Sequence, residues 1–348
     1  MSGFPILDLV VGIIFVYFLL SIVCSSAVEM VLTIGKYRAK MLERWLRSVF
    51  DKEIVLSSGQ SVKLGQAIMD HCTTKGLSEK GSATSYIDAK NFSTALLEKI
   101  TYDPANPKSI AKDIDELITA IQNTKLLSAD LQGALLGYAY EAKDSYRSVT
   151  EKYMGEIQLF KSKIENWYDS SMDRVSGALK QNYTRRFTFW LAFIIVLGLN
   201  ADSISIAKYL YTNPEARTRL VAKAYSITNN DTIKNQVTRM VNHSAGADTV
   251  LNNASMQQIT DTLTARAHEI ESTKAMIEDV IPLSWNGTEF KNASGKFYWP
   301  FVLSKIAGLL VTILAVMMGA PFWFDVLNKI SNLRGSGAKP ASQKDKGQ

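Results

Sequence analysis

The stretch YWPFVLSKIAGLLVTILAVMMGAPFWFD (Tyr298–Asp325) has the composition of a membrane-spanning helix, since roughly 20 apolar residues cross a hydrocarbon core. One residue resists that reading. Lys305 stands near the start of the stretch, and a charge at the centre of a span costs roughly 2.5–3.5 kcal/mol on insertion scales, less near an interface. Two accounts of Lys305 stand. It snorkels toward headgroups from beneath the aromatic run FYWPF (Phe297–Phe301), or it pairs with an acid at the same depth.

Two further apolar blocks frame the chain. The first, Ile6–Gly35, is long enough to span with some tilt. The second, Phe187–Tyr211, has an uninterrupted apolar part only to Leu199, so it spans only if Asn200 and Asp202 are included. The third runs over 297–324. Averages hide this pattern: 348 residues, net charge +6 and 47% hydrophobic content describe an ordinary soluble protein, but the apolar residues are gathered into three blocks. The first block lacks a basic n-region and a small-x-small cleavage site in IVCSSAVEMV (Ile22–Val31). It is expected to remain as an anchor.

Basic residues set the direction of crossing, because Lys and Arg flanking a span stay cytoplasmic. Lys36, Arg38, Lys40, Arg44 and Arg47 follow the first block. Lys180, Arg185 and Arg186 precede the second, and Lys329, Arg334, Lys339, Lys344 and Lys346 follow the third. All three clusters fall on one side with the N-terminus out and the C-terminus in. The expected layout is transmembrane helix 1 at 6–35 and a cytoplasmic helical domain at 36–186. Transmembrane helix 2 follows at 187–211 and an extracytoplasmic helical domain at 212–296. Transmembrane helix 3 at 297–324 and a basic flexible cytoplasmic tail at 325–348 complete it. The outer segment carries N-x-S/T triplets at Asn230, Asn242, Asn253, Asn286 and Asn292, read as chance products of Asn-rich loops.

Within the cytoplasmic region, KYRAKMLERWLRSVFD (Lys36–Asp51) is expected to continue the first span as one helix. Its basic face either rests on anionic headgroups or is simply the flank of the span. DAKNFSTALLEKI (Asp88–Ile100) reads as a helix, and Ser109 as the N-cap of the next. From about Ser128 a stripe of Val149, Tyr153, Ile157, Phe160, Ile164, Trp167, Met172, Val175, Leu179 and Tyr183 predicts one near-continuous helix, on the order of 90 Å long, entering the second span. The stripe needs a partner: the preceding cytoplasmic helices or a second copy of the chain.

No constellation identifies a reaction. SIAK occurs at Ser109–Lys112 and Ser205–Lys208. The S-x-x-K acyl-transfer pattern also needs S-D-N-like and K-T-G-like elements, which are missing. SGQSVKLG (Ser58–Gly65) lacks the G-K-[ST] ending of a phosphate loop. His71, His243 and His268 are scattered, and Cys24 and Cys72 have no metal or disulfide spacing. No catalytic residue, cofactor or metal is expected. The basic clusters lack interleaved aromatics, so no nucleic-acid partner is expected either.

The polar residues at the spans carry more information. Tyr17, Ser21, Cys24, Ser25 and Glu29 share one face of the first span, and Ser304, Gly308, Thr312, Ala315 and Gly319 one face of the third. Small residues let helices approach closely in lipid, so Ser21, Ser25, Glu29, Gly308, Thr312 and Gly319 are read as packing faces. Asp202 and Lys305 lie at matching depths and form a candidate intramembrane charge pair. Asp173, Arg174, Asp325 and Arg334 form a candidate juxtamembrane network on the cytoplasmic side. The plainer reading there is helix-end packing, with Phe322, Trp323 and Phe324 as an inner aromatic belt and Pro321 kinking the helix.

Several stretches resemble an uncharacterised family of bacterial multi-pass inner-membrane proteins with no established activity. They are FVYFLLSIVCSSAVEM (Phe15–Met30), YRAKMLERWL (Tyr37–Leu46), SYIDAKNFSTALLEKI (Ser85–Ile100), WYDSSMDRVSGALKQNYTRR (Trp167–Arg186), LNADSISIAKYL (Leu199–Leu210), IPLSW (Ile281–Trp285) and GAPFWFDVLNKISNLRGSG (Gly319–Gly337). The family tends toward SG-x-Y-K-R where this chain has SGALKQNYTRR. The resemblance implies inner-membrane location and shared architecture. It brings no activity.

The sequence is therefore read as an all-α, three-span protein of the bacterial inner membrane. Its expected function is a non-enzymatic anchor or scaffold whose cytoplasmic helices recruit a protein partner or self-associate. An oligomeric pore or transport component is the alternative, and no broken midplane helix is foreseen to support it. A membrane-embedded enzyme is the third reading.

Overall fold

The computed structural model describes residues 5–55, 59–75, 87–101, 113–148, 155–229, 256–281, 283, 285 and 299–335. It is mostly helical, as expected, and two helices are long and apolar enough to cross a membrane, or three if a bent pair counts as one span. The chain forms two compact units. One comprises residues 1–31, 183–249 and 262–348, the other 32–182 and 250–261.

The second unit is built from α2 (Tyr37–Val49), a small antiparallel hairpin of β1 (Glu53–Val55) and β2 (Ser61–Lys63), α3 (Leu64–Met69), α4 (Cys72–Lys75), α5 (Ala89–Thr101), α6 (Ile114–Asn123), α7 (Ala129–Ser148) and α8 (Glu156–Leu179). Each main helix turns an apolar stripe inward. α2 buries Ala39, Leu42 and Leu46, α5 buries Phe92, Leu96 and Ile100, and α8 buries Phe160, Ile164 and Tyr168. The centre is aromatic: Phe92 stacks on Tyr168 at 4.2 Å, with Phe50, Trp45 and Trp167 edging around them. Each fully buried side chain of this size stabilises the fold by roughly 1.5–3 kcal/mol. Gly65 permits the closest approach, because a Cβ there would meet the Leu46 carbonyl oxygen at 2.4 Å.

Three sequence expectations change here. α1 (Pro5–Ile34) does not run on into α2. The chain breaks at Gly35–Lys36, where Lys36 is left-handed with φ 50, a conformation that stops a right-handed helix. The helix at 114 is capped by Asp113, whose side chain accepts from the Glu116 N–H; Ser109 lies outside the described residues. Nor does one helix run from Ser128. α7 and α8 are separate and pack against each other, tied by Lys163–Glu141 at 2.6 Å. Helical structure is then unbroken from Glu156 to Gly198, about 65 Å at 1.5 Å per residue, through a π-turn at Lys180–Thr184. Val149 and Tyr153 lie outside the described residues. Phe160, Ile164, Trp167 and Met172 of the stripe pack in one core with α2, α5 and α7.

The first unit holds α1 with α9 (Arg185–Gly198), α10 (Ser203–Thr212), α11 (Pro214–Asn229), α12 (Met256–Glu278, from Thr262 on), α13 (Trp299–Met317) and α14 (Ala320–Gly335). α1 is enclosed: 72% of its apolar window is buried, against 39% for α13. Phe15, Val16, Phe18 and Leu20 have no exposed surface. α9 and α13 instead show Trp190, Ile194, Leu303, Leu310 and Leu314 on their outer sides. Such a continuous apolar surface suits lipid contact.

The expected layout sets 212–296 apart as a domain. The described helices of that segment instead pack within the unit of the spans. Leu210 and Leu220 approach Gly12, Ser26 donates to Glu269 at 2.9 Å, and Thr228 bonds Ser331 at 3.0 Å. The polar side of α1 needs polar partners, and α12 supplies them. The third span is also shorter than 297–324. α13 ends at Met317, Gly319 turns the chain at φ 85, and α14 carries helix from Ala320 to Gly335. Residues 325–335 are thus helical rather than flexible tail. Phe322 is exposed, whereas Trp323 and Phe324 turn toward α1. They meet Tyr17 and Phe18, at 5.0 and 5.7 Å, and Phe324 is buried.

Candidate functional site

The second apolar block is a broken helix. α9 ends at Gly198 with Leu199 as its C-cap, Asn200 is left-handed at φ 53, and α10 leaves at 46° to the preceding helix. A break strands backbone donors and acceptors, and at membrane depth it persists only where protein satisfies them. Asp202 caps α10, with Oδ1 accepting from the Ile204 N–H at 2.9 Å and Oδ2 from the Ser205 hydroxyl at 2.6 Å. The Ser203 N–H donates to Thr312 Oγ1 at 3.0 Å. The Leu197 carbonyl accepts from the Trp285 indole at 2.8 Å.

Lys305 lies 3.5 Å from Asp202 Oδ2, and the two side chains are 8% and 3% exposed. The ammonium also sits over the Trp285 ring, 5.4 Å from its centroid. Pairing with Asp202 therefore accounts for Lys305, and its side chain is buried rather than reaching outward. The contact depends on Gly308: a Cβ there would lie 1.6 Å from Asp202 Oδ1. The positive dipole end at the α10 N-terminus acts, like the lysine, on the capping Asp202 carboxylate.

Beside the pair, three hydroxyls form a file of consistent polarity. Tyr17 donates to Ser203 Oγ at 2.7 Å, Ser203 Oγ meets Thr312 Oγ1 at 2.7 Å, and Thr312 donates to the Gly308 carbonyl at 2.9 Å. The file joins α1, α10 and α13. Tyr17, Ser203, Asn200 and Trp285 were absent from the candidate pair read from sequence. The signal for them was Asn200–Asp202 inside an apolar block, which marks a break as readily as a charge.

The remaining candidates separate. Ser21 donates to the Val316 carbonyl at 3.4 Å, which joins α1 to α13. Thr312 and Gly308 belong to the buried cluster. Ser25 and Glu29 are half-buried, and the neighbouring Ser26 makes the bond to α12. Gly319 is a turn residue, not a packing position. Arg174 bonds Ser171 within α8, Asp173 is one of the carboxylates raising the Asp169 pKa, and Asp325 is exposed. The Arg334 side chain lies outside the described residues.

The site offers a fixed buried charge pair and an oriented hydroxyl file. Among the described residues no group of His, Cys, Asp and Glu is placed to hold a metal ion. No family model, curated protein or solved structure matches the chain.

Proposed function

We propose that the protein is a non-enzymatic anchor or scaffold of the bacterial inner membrane, N-terminus out and C-terminus in, that holds the helical unit of 32–182 at the cytoplasmic surface for a protein partner. The supporting observation is the connection of that unit to the candidate spans. It is joined through two residues after α1 and through an unbroken helix into α9. Such short connections suit holding a domain close to a membrane rather than on a flexible tether. Its aromatic core is complete in itself, which leaves its outer faces available for recognition.

The test uses a surface probe on α7, where a Cβ at Gly137 meets nothing within 4 Å. The tagged full chain is purified from native membranes in mild detergent and its complex mass measured. A soluble partner at fixed stoichiometry, lost in Gly137→Arg, supports the reading. A homo-oligomer with no partner, unchanged by that substitution, overturns it.

A second reading is favoured by the broken helix. A discontinuous helix with a buried charge pair and an oriented hydroxyl file is the kind of element that transport components use at midplane. The break at 199–202 is not foreseen from the sequence. Ion flux in liposomes that Asp202→Asn abolishes would select the conduit over the scaffold.

A further inference from the structure

The turn between α3 and α5 carries a cluster remote in sequence and chemistry from the ion pair. His71 is 5% exposed and engaged at both ring nitrogens. Its Nε2 lies 2.8 Å from Glu98 Oε2 on α5. Its Nδ1 accepts from the Thr73 N–H at 3.3 Å. A carboxylate accepts and a backbone amide donates, so the ring proton belongs on Nε2 and the lone pair on Nδ1. The Thr73 hydroxyl, 2.8 Å from Nδ1, is shared with the Asn91 carbonyl at 3.3 Å. Cys72 Sγ lies 3.9 Å from the same Nδ1, and Cys72 is exposed. A thiol, a base in the correct tautomer and an acid that orients it are the three parts of an activated nucleophile, and such contacts are often loose in unliganded proteins.

We propose that Cys72, His71 and Glu98 form a reactive-thiol site that takes low-molecular-weight disulfides. The Cys72 proton passes to His71 Nδ1, and Glu98 stabilises the imidazolium. Sγ attacks one sulfur of the disulfide and the S–S bond breaks. The leaving thiolate takes the proton from Nδ1 and departs as a thiol. Cys72 is oxidised to a mixed disulfide as one half of the small disulfide is reduced. The chain's other cysteine, Cys24, is buried in α1, so the second sulfur comes from outside the protein. The exposed thiol suits a small reagent. Among the described residues, the charged groups facing the ring are Glu98, with Lys99 3.8 Å behind it on α5, and Asp70 at the end of α3, held by Gln66.

The probe is oxidised glutathione, applied to the full chain in detergent, with adduct formation followed by intact mass and Cys72→Ser as the blank. At pH 7, Glu98→Gln is expected to slow the adduct about tenfold, and His71→Asn at least as much. At pH 9.5 hydroxide takes the thiol proton in place of His71, and the Glu98→Gln rate is expected to come within about twofold of the parent. Equal rates at pH 7 for parent and Glu98→Gln would overturn the proposal. So would a deficit that persists at pH 9.5, which reports altered access, or no adduct on the parent chain. His71 is buried and its replacement can disturb the turn. Glu98, at 45% side-chain exposure, keeps the test decisive by itself.

Discussion

Asp202 and Lys305 are each buried beside the other, and breaking such a pair leaves a charge without its counterpart. Lys305→Met or Asp202→Asn alone is expected to destabilise the first unit by roughly 3–5 kcal/mol. The double substitution should recover much of that, because no orphan charge remains. Thermal unfolding in micelles, run as a double-mutant cycle, measures the coupling. Additive losses would mean the pair is incidental. Gly308→Ala forces Asp202 aside and should cost roughly 1–3 kcal/mol in the same assay.

Asp169 behaves differently. Burial raises its pKa first, with Asp88, Asp173 and Glu165 adding to the shift. A carboxyl raised on folding binds protons more readily in the folded chain. Its contribution to stability is therefore fullest below the unfolded value, about 3.9, and falls as pH rises through the folded value. Asp169→Asn should raise Tm at pH 7 and lose that advantage toward pH 3. A Tm gain that is independent of pH would point to a cause other than charge.

At the scale of elements, the informative positions are where helices stop. Lys36, Asn200 and Gly319 all have positive φ, and each ends a helix that hydropathy alone would extend. Gly319→Ala places a Cβ in the left-handed region, costing about 1–2 kcal/mol, and should loosen Trp323 from the Ala315 carbonyl that its indole meets at 2.6 Å. Tryptophan emission of the full chain would shift. An unchanged spectrum and Tm would show that the turn tolerates a side chain.

For the whole molecule, the contrast is between an enclosed first helix and the outward apolar faces of α9 and α13. Trp190 and Leu314, 59% and 64% exposed, belong where lipid covers them. Brominated lipids are expected to quench Trp190 strongly in reconstituted chain. Water-like accessibility of Trp190 to iodide would place that face away from lipid.

The apolar blocks, the helical class and the inward stripe of α8 were legible in the sequence because they depend on local composition and period. The depth match of Asp202 with Lys305 was legible too, as counting along two helices. The break at 199–202 was not, since its stability comes from Thr312, Trp285 and Gly308, partners far along the chain. Nor was the packing of α11 and α12 within the unit of the spans: their mixed polarity suits water as well as the polar side of α1. The triad at Cys72 was hidden for the same reason, because Glu98 reaches His71 only once α5 docks. Sequence by itself settled which segments are apolar and which are helical, both properties of short windows. Tertiary structure decided where those helices stop and which polar groups meet, because buried polar groups must find partners and those partners are set by the fold.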